Sequence, residues 1–236
     1  MNFQVRLHTS EQLDNLSLSG TILHNTLSSL QLVNSLFGNH RQLSKTTLDY
    51  CSKIYDGKIL KIVDLGCGGG DTAYKIYNRL SKAGIKVSVL GIDGNPQSIA
   101  YANSKYAYHD AITYETANIL DDSFTIPKCD IVISSHFIYH FQDMELVDFI
   151  KKTKQKEIKH LIFSELKRSK VAYILFKLSS FILPLSSMAK SDGLTAIKRA
   201  FTVAELQSIL KKSEVKKYQV DKKFWFRTLT KIDLHQ

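Results

Sequence analysis

The chain has 236 residues, of which 44% are hydrophobic and 23% charged, with a formal net charge of +10. That balance excludes disordered and fibrous classes and fits one α/β domain with an appendage. The first ten residues mix Arg6, His8 and polar groups without an apolar stretch, and Cys51, Cys67 and Cys129 form no Cys-x-x-Cys pair, so no secretory signal, disulfide framework or zinc site is expected and the cytoplasm is the expected compartment.

The charge is unevenly spread. Residues 1–150 hold 12 Lys/Arg against 15 Asp/Glu, whereas residues 151–236 hold 20 against 7. A basic C-terminal third suits either an anionic partner, nucleic acid or a lipid surface, or a solvated lysine-rich face.

In chain order, Leu16 to Leu36 and His40 to Ile54 read as helices, giving an N-terminal helical segment (1–56) packed on a core domain (57–236). From Ile59 a β-branched run leads into Gly66-Cys-Gly-Gly-Gly and then Asp71. Ala73, Ile76, Tyr77 and Leu80 follow at helical spacing, so the segment reads as strand, glycine turn and helix, with Asp71 able to cap the helix. Val87 to Ile92 repeats the pattern, with Asn95 as N-cap and Pro96 in the first helical position. Further strands are expected at Ile112 to Ala117, Ile131 to Ser134 and Ile158 to Ser164, and a helix at Asp143 to Lys152. Alternating strands and helices predict a doubly wound, mostly parallel sheet. Val171 to Leu185 is apolar but holds Lys177 and Pro184 and is too short for a membrane span; residues 167–200 read as an insertion. Thr202-x-x-Glu205 opens a helix to about Leu210 as a capping box, and Val215 to Val220 with Phe224 to Leu229 read as a closing antiparallel hairpin.

A glycine turn after the first strand brings backbone close to a nucleotide-like ligand. A dinucleotide fingerprint counted from Gly66 would require Gly or Ala at position 71, where Asp71 stands. A carboxylate there would repel a pyrophosphate at the helix N-terminus. It would favour a cationic, phosphate-free nucleoside, as Asp64 would, and S-adenosyl-L-methionine is such a ligand. Asp93, at the end of the second strand, is placed to accept hydrogen bonds from ribose hydroxyls; alternatively it starts the turn before Asn95.

The segments Val63-Asp-Leu-Gly-Cys-Gly-Gly-Gly-Asp, Gly91-Ile-Asp-Gly-Asn-Pro and Cys129-Asp-Ile-Val-Ile-Ser-Ser-His resemble motifs of the class I S-adenosylmethionine-dependent methyltransferase superfamily, over roughly residues 59–166. The resemblance implies a Rossmann-like α/β fold: a doubly wound, mostly parallel seven-stranded sheet with an antiparallel C-terminal hairpin, N-terminal helices and a helical lid at 167–200. It implies S-adenosyl-L-methionine as cofactor, leaving S-adenosyl-L-homocysteine. Asp64, Gly66, Cys67, Gly68 and Asp71 would surround the methionine part, Asp93 the ribose, and Gly94 and Asn95 the adenine side. Asn118 and Ile119 fall where many relatives carry an acidic residue near the adenine amino group; the Asn118 carbonyl could accept from that group. Ser135 and His136, after the fourth strand, would complete the donor site.

For the acceptor, His136 and His140 are four residues apart and share a face if helical. They lack the intervening Glu of the zinc signature, so no metal is expected. His140 is the candidate general base, the alternative being a hydrogen-bonded wall residue. No Asn-Pro-Pro-Tyr or Asp-Pro-Pro-Tyr stands after strand four, which the family resemblance associates with amino-methylating enzymes; Phe137-Ile-Tyr-His does, favouring a small-molecule acceptor. Glu165 to Tyr173 and Asp192 to Thr202 resemble a bacterial subgroup associated with polyketide and phenolic-lipid pathways. That resemblance implies a hydrophobic substrate under an apolar lid, with Phe137, His140, Glu165, Arg168, Tyr173 and Arg199 as substrate-binding candidates. The alternative for the lid stretch is a core helix pair, and for Arg168 and Arg199 helix capping. Arg41 is a further candidate for the cofactor carboxylate. The expected function is O-methylation of a hydrophobic phenolic or polyketide-like metabolite. The alternatives are an RNA-directed methyltransferase, which the basic third would suit, and a catalytically silent S-adenosylmethionine-binding protein. Peripheral membrane contact stays open, and the oligomeric state is not legible.

Overall fold

The computed structural model describes residues 2–106 and 109–234. Helices α1 (Gly20–Leu36) and α2 (Asn39–Ile54) precede strand β1 (Leu60–Leu65). There follow α3 (Asp71–Lys82), β2 (Val87–Asp93), α4 (Pro96–Tyr106), β3 (Ile112–Thr116), β4 (Ile131–Ser135), α5 (Asp143–Lys154) and β5 (His160–Leu166). Then come α6 (Lys170–Ile182), α7 (Ser187–Arg199), α8 (Val203–Lys212), β6 (Lys217–Lys223) and β7 (Arg227–Asp233).

The seven strands form one sheet in the order β3-β2-β1-β4-β5-β7-β6. β1 to β5 pair in parallel, and β7 runs antiparallel to both β5 and β6. The expected seven-stranded Rossmann-like sheet with its closing hairpin is therefore present. Successive side chains in the central strands point to opposite faces. Val63, Val132 and Phe163 pack with α5 and α8 residues such as Leu146 and Leu206. Ile62, Ile131 and Ile162 pack with Leu43 of α2 and Ala73, Ile76 and Leu80 of α3. Two cores, one per face, explain why these strands read as continuous apolar runs. β1 lies between β2 and β4, so the chain's winding reverses there and opens a crevice at the C-terminal strand ends.

Three local details differ from expectation. Asp71 does not cap α3: Gly70, at φ 79°, is the N-cap, and the Asp71 carboxylate turns instead to His40 Nε2 of α2. The hairpin strands begin two to three residues later than the sequence pattern suggests, because Trp225 and Phe226, at φ 60° and 53°, form the turn that Phe224 was expected to leave as strand. His136 and His140 do not share an α-helix; His136 sits at φ 56° and a single 3-10 turn covers Ile138–His140. Asn95 does cap α4, its Oδ1 accepting from Gln97 N at 2.8 Å and Ser98 N at 3.3 Å. Thr202 and Glu205 form the expected capping box. No helix among the described residues is long and apolar enough to cross a membrane.

Candidate active site

A cavity of about 820 Å³ opens over the C-terminal ends of the parallel strands, walled by α1 and roofed by α6 and α7. A corner at the glycine turn, the donor corner of the function proposed below, is built by the first two βα turns. Asp64, Gly66, Cys67, Gly68 and Asp71 line it from the β1 side, and Asp93, Gly94 and Asn95 from the β2 side, with Asn118 and Ile119 after β3. Gly66, Gly68 and Gly70 all have positive φ, which lets the backbone turn without a Cβ penalty. A Cβ on Gly66 would lie 2.5 Å from the Phe137 ring, so glycine there lets the β4 loop close over the turn.

The corner is electronegative. Asp64 is fully buried and its Oδ2 has no hydrogen-bond partner. Burial, reinforced by Asp71 and Asp93, holds its carboxyl well above the ordinary range. Burial also raises Asp93, opposed by two bonds it accepts, from Asn95 N and Gly68 N, each at 2.9 Å. Three carboxylates around one glycine turn, one with an orphaned oxygen, suit a cationic ligand and disfavour a pyrophosphate. Asn118 Oδ1 already accepts from Leu120 N at 3.2 Å, which leaves its amide donors toward the cavity. The Asn95 side chain is spent on its cap and on Leu18 O at 2.9 Å, so only its backbone serves a ligand.

Ser135, His136, Phe137, His140 and Arg199 continue the wall away from the donor corner, and Leu175, Phe176, Leu178 and Ile182 of α6 supply its apolar roof. Ser135 is fixed by a buried relay in which Ser164 donates to Asn39 Oδ1 at 2.6 Å and Asn39 Nδ2 donates to Ser135 Oγ at 2.7 Å. Arg199 donates to Glu11 at 3.2 Å, to Asp14 at 2.7 Å and to His140 Nδ1 at 3.1 Å. Glu11, Asp14 and His140 bring ligand atoms close enough to hold an ion, but the guanidinium already bonds all three. Burial lowers His140 to about 4, with Asp14 opposing and Arg199 adding to the shift, and raises Glu11 to about 8. His136 Nε2 is bonded by the guanidinium of Arg227, a fully buried side chain on β7.

Four candidates from the sequence do not line the cavity. Arg41 is exposed on α2. Tyr173 faces Phe3 and Lys198 rather than a ligand. Arg168 donates to Ala200 O at 2.8 Å, past the end of α7, to Phe3 O at 3.0 Å and to Glu205, which is the capping role left open for it. Glu165 lies beneath the β4 loop, where its Oε1 accepts from Phe137 N at 3.1 Å and Ile138 N at 3.2 Å. In the other direction, Leu13, Leu16, Leu27, Leu30 and Asn34 from the N-terminal segment and Trp225, Phe226 and Arg227 from the hairpin line the cavity. The helical character of α1 was legible, but nothing local in the sequence says that it folds over strand ends some thirty residues downstream.

Burial raises the Glu165 carboxyl from 4.5 to about 7, and the amides of Phe137 and Ile138 only partly oppose this. A carboxyl raised on folding stabilises below its unfolded value and loses that contribution as pH climbs to its folded value, here on the order of a few kcal/mol. Glu165→Gln is therefore expected to gain stability relative to the parent between about pH 4.5 and 7. Denaturant midpoints at the two ends of that window check it, and a constant difference would refute it.

The family described as "Methyltransferase domain" matches residues 62–156. Solved structures with the same fold include the CMeT domain of citrinin polyketide synthase, 13% identical with a TM-score of 0.58, over 80% of this chain and 50% of that one. Human N-acetylserotonin methyltransferase in complex with SAM is 17% identical with a TM-score of 0.60, over 90% and 55%. The plantazolicin methyltransferase BpumL in complex with SAH is 14% identical with a TM-score of 0.62, over 90% and 95%. The chain spans about half the length of the first two. No curated protein matches it in sequence. Residues 62–156 thus resemble a methyltransferase domain, and the chain shares the fold of these solved methyltransferases.

Proposed function

We propose that the protein binds S-adenosyl-L-methionine in the donor corner and O-methylates a hydrophobic small molecule held under α6 and α7, with a phenolic or polyketide-like body. One observation carries this: the carboxylate-lined glycine turn and the apolar roof belong to one continuous cavity. The cofactor supplies a methyl group on a sulfonium, a leaving group that needs no protonation. Asp64 would meet the cationic methionine end, Asp93 the ribose, and Gly94, Asn118 and Ile119 the adenine. Residues 1–56 serve as a helical wall and 167–200 as the lid over the acceptor. His140 is one of the polar groups on the acceptor side of the wall. The test is calorimetry with S-adenosyl-L-homocysteine, followed by incubation of the protein with methyl-labelled donor and lipid extracts. Micromolar binding and label in an organic-soluble product are expected. Absence of binding would remove the donor site, and label confined to RNA or protein would remove the small-molecule acceptor.

A further inference from the structure

Methyl transfer to a neutral hydroxyl leaves a proton that must go somewhere, and a positioned base is the usual recipient. The acceptor side of this cavity offers two imidazoles, and an arginine holds each of them by one nitrogen. A guanidinium can only donate. The aligned bond from Arg199 to His140 Nδ1 therefore makes that nitrogen the acceptor and puts the ring's proton on Nε2. Asp14 Oδ1 stands 3.3 Å from the same nitrogen, and Arg199 binds the other oxygen of that carboxylate, Oδ2, at 2.7 Å. The bond from Arg227 to His136 Nε2 likewise puts the proton of that ring on Nδ1. Both histidines thus face the cavity as N–H donors, without a lone pair to take a proton, and burial beside a guanidinium lowers the proton affinity of each.

The carboxylates around them are occupied as well. Glu11 accepts from Arg199 and from the Tyr139 hydroxyl, and Asp192 accepts from Gln12 N and Leu13 N. Asp64, Asp71 and Asp93 belong to the donor corner. Arg227, by contrast, is a buried cation whose Nε has no partner and which forms no ion pair among the described residues. Glu165, on the neighbouring strand, compensates it in part at longer range, its own Oε2 also being without a hydrogen-bond partner. A buried charge compensated only in part is costly, and a further anion nearby offsets it. Strands lie about 4.8 Å apart, so β7, three places from β1 in the sheet, puts this charge on the acceptor side.

We propose that the oxygen methylated by this protein is that of a carboxylate, and that the product is a methyl ester. This rests on the donor and acceptor halves assigned above. The carboxylate oxygen attacks the methyl carbon, a C–O bond forms as the C–S bond breaks, and the sulfur keeps the bonding pair. No proton is transferred, so no base is needed, and the second carboxylate oxygen takes the histidine N–H donors.

2-Naphthoate and 2-naphthol share one apolar body, and only the first is ionised throughout the range between about pH 5 and pH 9. With the S-adenosyl-L-homocysteine-loaded protein, calorimetry is expected to show naphthoate binding at least ~10-fold more tightly than naphthol at neutral pH, the scale of one charge-assisted hydrogen bond. Arg227→Met, which frees His136 and removes the buried cation, is expected to cut that preference at least threefold while homocysteine-product affinity stays within a factor of about two. With labelled donor and naphthoate, label is expected in an ester that releases volatile methanol in mild alkali. Equal affinities, a preference for naphthol, no binding of naphthoate at millimolar concentration, or an alkali-stable ether formed faster as pH rises would each overturn the proposal. If Arg227→Met weakens S-adenosyl-L-homocysteine and leaves the preference intact, the guanidinium serves the donor, and the proposal falls. Failure of the parent protein to bind S-adenosyl-L-homocysteine at all would instead sink the methyl-donor reading.

Discussion

Asp93→Ala is expected to weaken binding of S-adenosyl-L-homocysteine by about 1.5–3 kcal/mol, or roughly 10- to 150-fold in the dissociation constant. The carboxylate at the end of β2 has two duties. It accepts from Gly68 N and Asn95 N, which ties the β1 glycine turn to the start of α4, and its remaining lone pairs are the ribose acceptors proposed above. Asp93→Asn separates the two. The amide keeps one oxygen for the backbone but offers a donor where the ribose hydroxyls also donate, so it should lose less structure and nearly as much affinity. Calorimetry gives the affinity and thermal unfolding the structural share. Unchanged affinity in Asp93→Ala would remove the ribose role, and loss of affinity accompanied by a collapsed melting temperature in both variants would assign Asp93 to the turn alone.

Gly70→Ala is expected to cost about 2–5 kcal/mol of stability, combining the left-handed strain of a non-glycine residue with overpacking of a filled core. Gly70 has φ 79°, and an added Cβ would stand 2.6 Å from the Tyr114 hydroxyl and 2.7 Å from its Cζ. That hydroxyl also donates to Gly70 O at 3.0 Å, so the ring cannot retreat without breaking a buried bond. In a domain of this size the melting temperature should fall by roughly 5–15 °C. Tyr114→Ala in the same chain should recover the overpacking share and leave the dihedral strain. The double variant is then expected to be at least ~1 kcal/mol more stable than the two single losses combined. Strict additivity would show that the ring and the turn do not clash.

What was legible in the sequence follows from how local each cause is. The strand, glycine turn and Asp at 64 to 71 announce themselves because steric freedom and charge act within a few residues, and Asn95-Pro96 and Thr202-x-x-Glu205 are caps whose partners are two or three positions away. That these residues gather around one glycine turn was therefore readable almost residue by residue. The acceptor side was not. Arg227 reaches His136 across ninety-one residues, and Arg199 meets Glu11 across one hundred and eighty-eight. Such pairings are products of sheet order and lid closure, which no spacing rule encodes. Glu165 and Arg168 were singled out as substrate contacts through the resemblance of their segment to a bacterial subgroup. Their burial supplies a different outlet, since an inward-facing charge in a packed fold takes backbone groups as partners whenever these are within reach. The hairpin was misplaced by two to three residues because non-glycine residues rarely adopt the positive φ that Trp225 and Phe226 take.

Ser135, the last residue of β4, and His136, the first beyond it, face different tenants. Ser135 is pinned through Asn39 to α2 and to Ser164, while His136, one peptide further, bends at φ 56° toward Arg227. One amide plane thus lies between a residue tied to α2 and a residue tied to β7, with the soft dihedrals of Ser135 and His136 on either side of it. Under the function proposed above, any bias that one occupied half places on the other is equal in both directions, so the order in which the two molecules arrive is a matter of rates and concentrations.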